Sequence, residues 1–188
     1  MEGPSEWFND LETTEMMCTW LCHALAGPVG AMVNGCELLR EDGGCDGETM
    51  ALLAASATTT AQRLKFFRAA LGHSSVSHLV VTDLYKLSSD FLASWRNGIG
   101  FDWPTAESTT PVDSRQGQLV LVMILFAVEC LPRGGNLVVH AQTGHVTVTA
   151  TCLKDEMTAT LALRGEEKAP RVMPAFFAAR LARRLGGT

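Results

Sequence analysis

Apolar and polar residues in the N-terminal part of the chain recur at three- and four-residue spacing, the pattern of helices with one wet face. Two such segments are predicted, Trp7 to Arg40 and Thr49 to Leu71. Between them, Asp42-Gly43-Gly44-Cys45-Asp46-Gly47 has turn composition and is too short to hold other structure, so the helices are expected to fold back as an antiparallel hairpin. In the first helix Leu21, Leu25, Pro28, Met32, Cys36 and Leu39 fall within about 40° of one line, an apolar stripe suited to a core. The opposite line carries Glu12, Thr19, His23, Gly27, Gly30, Asn34, Glu37 and Glu41. In the second helix Leu53, Ala57, Thr60, Leu64, Phe67 and Leu71 form one seam, and Phe66 lies nearly opposite to it. Two helices alone cannot cover both. A symmetric dimer closing a four-helix bundle would do so, and so would the rest of the same chain.

Gly72-His73-Ser74-Ser75 breaks the second helix, and the pattern then changes. A helix is predicted over Thr82 to Trp95, a short strand over Ile99 to Trp103 and a loop over Pro104 to Pro111. Gln116 to Leu131 reads as a strongly buried helix that stops at Pro132-Arg133-Gly134-Gly135. Three β-type runs follow, Asn136 to Ala141, His145 to Cys152 and Met157 to Leu163. In the second, Val146, Val148 and Ala150 alternate with Thr147, Thr149 and Thr151, which predicts a sheet with one face buried. Pro174 to Leu185 closes the chain as a helix. The expected fold class is α+β, with a helical hairpin domain over residues 1–72 and an α+β domain over residues 76–188.

Composition removes several classes without naming one. The 188 residues are 47% apolar and 19% charged, enough for a core and unlike a disordered chain. The longest uninterrupted apolar run, Leu119 to Val128, is shorter than the roughly 20 residues of a spanning helix, so no membrane segment is expected. The first residues, Met1-Glu2-Gly3-Pro4-Ser5-Glu6, lack the basic start and apolar stretch of a secretory signal, and a cytoplasmic location is expected. Six cysteines in such a chain are expected to be free thiols. Cys18, Cys22 and His23 make a C-x-x-x-C-H string, but no second cluster completes a ligand set, so no metal site is expected.

Charge is unevenly placed. Met1 to Glu48 holds ten acidic residues against Arg40 alone, a local balance of -9 within a net charge of -5. Four arginines (171, 180, 183 and 184) and no acid follow from Arg171 onward. Arginines and aromatics do not interleave and the overall sign is wrong for nucleic acid, which is not expected as a partner.

His23 is the residue on which chemistry can be built. It is predicted to face water, opposite the core stripe, where a histidine is not explained as a satisfied core residue. Gly27 and Gly30, on the same face, cost about 1 kcal/mol each in a helix interior, and Pro28 frees the carbonyl of Ala24. Small residues beside an exposed histidine suggest a docking surface; packing against another backbone would also call for glycine.

The string Leu21-Cys22-His23-Ala24-Leu25-Ala26-Gly27-Pro28-Val29-Gly30-Ala31, followed by Asn34-Gly35 and Glu37-Leu38-Leu39, resembles the phosphoacceptor helix of two-component histidine kinases. It is more similar to histidine phosphotransferases of the ChpT type. Arg63-Leu64-Lys65-Phe66-Phe67-Arg68-Ala69-Ala70-Leu71-Gly72 resembles the end of that family's second helix, and Leu131-Pro132-Arg133-Gly134-Gly135 its turn after the buried helix. The resemblance implies a dimeric four-helix bundle followed by a two-layer α/β sandwich resembling a degenerate kinase ATP-binding domain, with further strands expected after Thr188. His23 would be the phosphoacceptor, taking a phosphoryl group from one receiver-domain aspartate and passing it to another. Gly27, Gly30, Asn34 and Glu37 would dock the receiver. The implied partners are response-regulator receiver domains, the receiver of a hybrid histidine kinase and a second copy of the chain.

A neutral imidazole is a nucleophile near pH 7, and phosphoryl transfer asks mainly for positioning. No cofactor of the chain's own is expected, and Mg²⁺ is expected from the receiver's acidic pocket. Ala24 stands where the family pattern carries an acid after the histidine, so autokinase chemistry is not expected. The buried helix Leu119-Val120-Leu121-Val122-Met123-Ile124-Leu125 has no asparagine, and the stretch between Thr151 and Arg171 has a single glycine, Gly165. A phosphate cradle needs backbone N–H groups freed by glycine, so ATP binding is not expected. The competing reading is a non-catalytic dimeric adaptor that binds receivers or kinases without carrying phosphate.

Overall fold

The computed structural model describes residues 10–41, 47–72, 78–95, 98–104, 111–142, 145–152, 158–159 and 177–181. They fall into two compact units, 10–60 and 61–181.

The first unit is built from α1 (Asp10–Glu41) and most of α2 (Gly47–Leu71). Pro28 sits inside α1 without ending it. The two helices approach closely at Gly35, which is buried: a Cβ there would lie 2.9 Å from Leu53 Cδ2. Thr19, Thr58 and Thr60 turn their hydroxyls back to donate to the carbonyls of Glu15, Ala54 and Ser56, which satisfies these hydroxyls within their own helices.

The apolar stripe of α1 is only partly covered. Trp20, Ala24 and Gly35 are buried, while Leu21, Leu25, Pro28, Met32 and Leu39 are half-buried and Cys36 is exposed. The buried line is thus displaced by roughly a quarter of a turn from the expected one. The apolar arc is wider than the buried one, and its other flank stays open. On α2, Leu64 and Ala57 of the expected seam are exposed, whereas Phe66 is fully buried.

By length and composition α1 also passes the test for a membrane-crossing helix, since Thr14–Glu41 reaches a mean hydropathy of 1.4. Counting uninterrupted apolar residues missed this, because single polar residues interrupt the run. Those polar residues share one face, with His23, Asn34 and Glu37 all exposed along it. A helix apolar on part of its circumference suits a bundle better than lipid.

In the second unit the last turns of α2 pack on α3 (Val81–Trp95). Phe66 stacks on Phe91 with ring centroids 3.9 Å apart, and Phe67 meets the same ring edge-on at 5.9 Å. The second domain of the same chain therefore covers Phe66, so this ring supplies no argument for a dimer. Arg63 donates from Nη2 to the carbonyls of Ser94 (3.0 Å) and Trp95 (3.3 Å), and its guanidinium lies 4.7 Å from the centre of the Trp95 ring. A cation thus closes the negative end of α3.

Two small sheets frame this unit. β1 (His78–Val80) pairs antiparallel with β3 (Pro111–Asp113), a pairing the sequence did not suggest. The larger sheet runs β2-β4-β5-β6, from β2 (Ile99–Asp102), β4 (Gly135–Gln142), β5 (His145–Cys152) and β6 (Thr158–Ala159). β2 and β4 are parallel, joined by a crossover through α4 (Ser114–Glu129), and the remaining pairs are antiparallel. The rest of the expected Met157–Leu163 strand lies outside the described residues, and of the closing helix only 177–181 is described, as helix.

The oxygen of Asp113 caps α4 by accepting from the Arg115 amide at 2.9 Å. Val120, Leu121, Val122, Ile124 and Leu125 are then buried almost completely, with Leu137, Val139, Val148 and Ala150 from the sheet. Thr151 on the other face of β5 is exposed and Thr147 and Thr149 are half-buried, as the alternation predicted. Gly134 turns the chain from α4 into β4 at φ +86°, a conformation that L side chains rarely adopt.

Candidate functional site

His23 is exposed on α1, in the first unit. The side chain of a helical residue leans toward the helix N-terminus, so its neighbours at three and four residues are Thr19, Trp20, Ala26 and Gly27. None is titratable. Thr19, exposed, has its hydroxyl proton committed to the Glu15 carbonyl at 2.9 Å. Ala24, where kinases carry an acid, is 7% exposed, so this position faces away from the wet surface that His23 occupies.

Below His23 the same face carries Gly27 and Asn34, both exposed, and Gly30, half-buried, with Glu37 exposed one turn further on. At 1.5 Å per residue the stretch from His23 to Glu37 is about 21 Å long. Nothing lies within 4 Å of the point that a Cβ would occupy at Gly27 or at Gly30. Helix packing inside the chain therefore does not explain either glycine among the described residues, in contrast to Gly35 against Leu53. What the two glycines leave is a smooth, backbone-lined track beside the imidazole.

A second feature lies next to this track. Val29, Met32, Val33, Cys36, Glu37 and Arg40 line a shallow apolar groove on α1. It belongs to the open flank of the apolar arc and shares only Glu37 with the His23 face. Cys22 and His23, being successive, project about 100° apart, so the C-x-x-x-C-H string does not converge on a point. Among the described residues no three His, Cys, Asp or Glu side chains gather as metal ligands.

The residues that sequence reasoning missed support the second unit. Gln118, 2% exposed, donates to the Gly72 carbonyl at 3.0 Å and accepts from Arg115 Nη1 at 2.9 Å. It ties the end of α2 to α4. A glutamine inside an otherwise apolar helix was the available signal. Cys130, at the C-cap of α4, has its thiol pushed above the usual range by burial and secondarily by the Glu129 carboxylate.

A long helical hairpin with an outward histidine, continuous with an α+β domain, makes this a two-part protein. Residues 81–188 match the histidine phosphotransferase C-terminal domain, and the chain belongs to that family. It is 32% identical over 134 residues to the protein phosphotransferase ChpT of Brucella abortus (strain 2308), which takes in 70% of this chain. The chain spans about 62% of the length of that relative. The solved structure of a bacterial phosphotransferase superposes with a TM-score of 0.73 at 23% identity, covering 95% of this chain and 89% of that one, and so shares its fold.

Proposed function

We propose that the chain is a histidine phosphotransferase of a two-component phosphorelay, with His23 as the carrier. The observation that carries this reading is the exposed imidazole beside two glycines that no packing within the described chain explains. The family membership supports it. An aspartyl phosphate on a docked receiver is attacked by the unprotonated ring nitrogen of His23: the N–P bond forms as the P–O bond breaks, and the carboxylate leaves with the electron pair. The reverse step delivers the phosphoryl group to a second receiver. Mg²⁺ held in the receiver's acidic pocket would neutralise charge on the phosphoryl oxygens.

The chain's own part is to hold the imidazole on a rigid helix and to let the receiver approach along Gly27 and Gly30, with Asn34 and Glu37 as polar contacts at the far end. No carboxylate neighbours His23 on α1 at three or four residues, so the base that removes the remaining ring proton comes from the partner or from water. The partners are receiver domains of response regulators and of a hybrid kinase, and the setting is the cytoplasm.

A second copy of the chain completes the hairpin. On α1 the positions 18, 22, 25, 29, 32, 36 and 39, and on α2 the positions 50, 54, 57, 61 and 64, run at alternating four- and three-residue steps. Those on α2 are all exposed, and those on α1 are exposed or half-buried. Two such open seams on one hairpin close a core when four helices meet.

The reading is tested by incubating the protein with a receiver phosphorylated on aspartate. Acid-labile, base-stable label on the wild type that disappears in His23→Ala is expected. Label that persists in the variant would refute it, and receiver binding without label would favour the adaptor.

A further inference from the structure

α1 carries a pair of reactive side chains that phosphoryl transfer does not use. Cys18 and Cys22 are exposed free thiols four residues apart. Four residues advance a helix by one turn and about 40°, so the two thiols stand on the same side, one above the other. His23 lies outside the pair, about 100° round from Cys22. Glu15, exposed and three residues before Cys18, adds a negative charge on the side of the thiols.

The spacing decides what the pair can hold. Residues at this separation on a helix keep their Cβ atoms about 5–6 Å apart. A disulfide asks for about 3.5–4.5 Å, so the two sulfurs cannot join while α1 is intact. One ion between them removes the misfit, because two metal–thiolate bonds of about 2.3 Å each lengthen the bridge. That ion must be satisfied by two ligands, since among the described residues no third His, Cys, Asp or Glu gathers with them. Zinc sites and iron–sulfur clusters ask for four. Cu(I), which thiolates also select, is stable between two.

We propose that Cys18 and Cys22 of α1 form a two-thiolate site for one Cu(I) ion per chain. Binding exchanges two S–H protons for two Cu–S bonds. The copper arrives as Cu(I), so no electron moves, and the bridged pair carries one negative charge. The ion ties together one turn of α1 directly before His23, so occupancy fixes the turn that leads into the imidazole. The site is complete within one chain and depends neither on a second copy nor on phosphate at His23. Cys36, also exposed, lies about 21 Å beyond Cys22 along the axis and serves as the internal control.

The test uses the full chain in deoxygenated buffer. Cu(I) is added as its acetonitrile complex, the protein is alkylated briefly with iodoacetamide, and labelled cysteines are located by fragmenting the peptide that holds them. Without copper, Cys18, Cys22 and Cys36 should all label. With one ion per chain, Cys18 and Cys22 should lose their label together while Cys36 keeps it. In C18S copper should no longer protect Cys22, and in C22S it should no longer protect Cys18. Both substitutions fall at exposed positions, circular dichroism checks that each variant stays helical, and the wild-type map decides the matter without them. Protection of one thiol alone, equal protection of Cys36, protection that persists in either variant, or saturation at half an ion per chain overturns the inference. So do thiols at 18 and 22 that resist alkylation before copper is added.

Discussion

Phe66 of α2 and Phe91 of α3 stack with ring centroids 3.9 Å apart and planes inclined by 14°, and both rings are fully buried. This pair anchors the last turns of α2 to α3 within the second unit. Truncating Phe66 to alanine removes the stack and leaves a cavity, at a cost of about 3–5 kcal/mol. Chemical denaturation of F66A should show that loss, whereas L64A, one turn face away and 51% exposed, should shift the midpoint little in a monomeric form.

Gly27 and Gly30 should respond to alanine in opposite senses in two assays. The methyl group meets nothing within 4 Å, so each substitution should stabilise the helix by about 1 kcal/mol. The same methyl narrows the track beside His23 and should slow phosphoryl transfer from a receiver. Thermal melting and transfer rate, measured on one preparation, check the pair of outcomes. Gly35→Ala is the control: Leu53 must shift by several tenths of an ångström, which offsets the propensity gain, and the melting temperature should not rise.

Restoring an acid after the histidine should harm the protein. Ala24 is 7% exposed, and a glutamate there forces extra side-chain atoms into a closely covered position, at a cost of about 1–3 kcal/mol. A24E should melt lower than the wild type without gaining transfer rate.

Gln118→Leu should destabilise the second unit by about 1–3 kcal/mol, because the Gly72 carbonyl loses the donor that reaches it at 3.0 Å. Denaturation monitored by tryptophan fluorescence reads this out. Gln118→Glu should be no better, since a carboxylate cannot donate to that carbonyl.

The thiols should separate by reactivity. Burial, then Glu129, raises the Cys130 pKa and keeps the thiol protonated at neutral pH, while Cys18, Cys22 and Cys36 are exposed. Brief alkylation at neutral pH followed by peptide mapping should label those three ahead of Cys130, and the Cys130 rate should climb only at a pH above that of an ordinary free thiol.

Much of the fold was legible because periodicity is strong where one face is wet. The hairpin, α3, α4 and the strands β4 and β5 all fall close to where spacing placed them, and His23 lies exposed on the face opposite the stripe. The failures share a cause. Phe66 looked stranded because the wheel of one helix does not show that α3 comes to cover it. The α1 stripe marks the whole apolar arc, and nothing in the wheel says which flank the chain itself buries. β1 and β3 are too short for alternation to register, with only three residues each. Gly27 and Gly30 could be suspected from sequence, but only the empty space at both Cβ positions separates them from Gly35.

The empty space beside those two glycines also bears on how such a chain drifts. Variants with alanine there would fold better and survive proteolysis longer, so any selection on abundance or heat resistance alone pushes toward them. A lineage that keeps glycine at both positions is being held there by what it must touch. Laboratory evolution for robustness, run without a signalling readout, should therefore yield proteins that accumulate well and no longer relay.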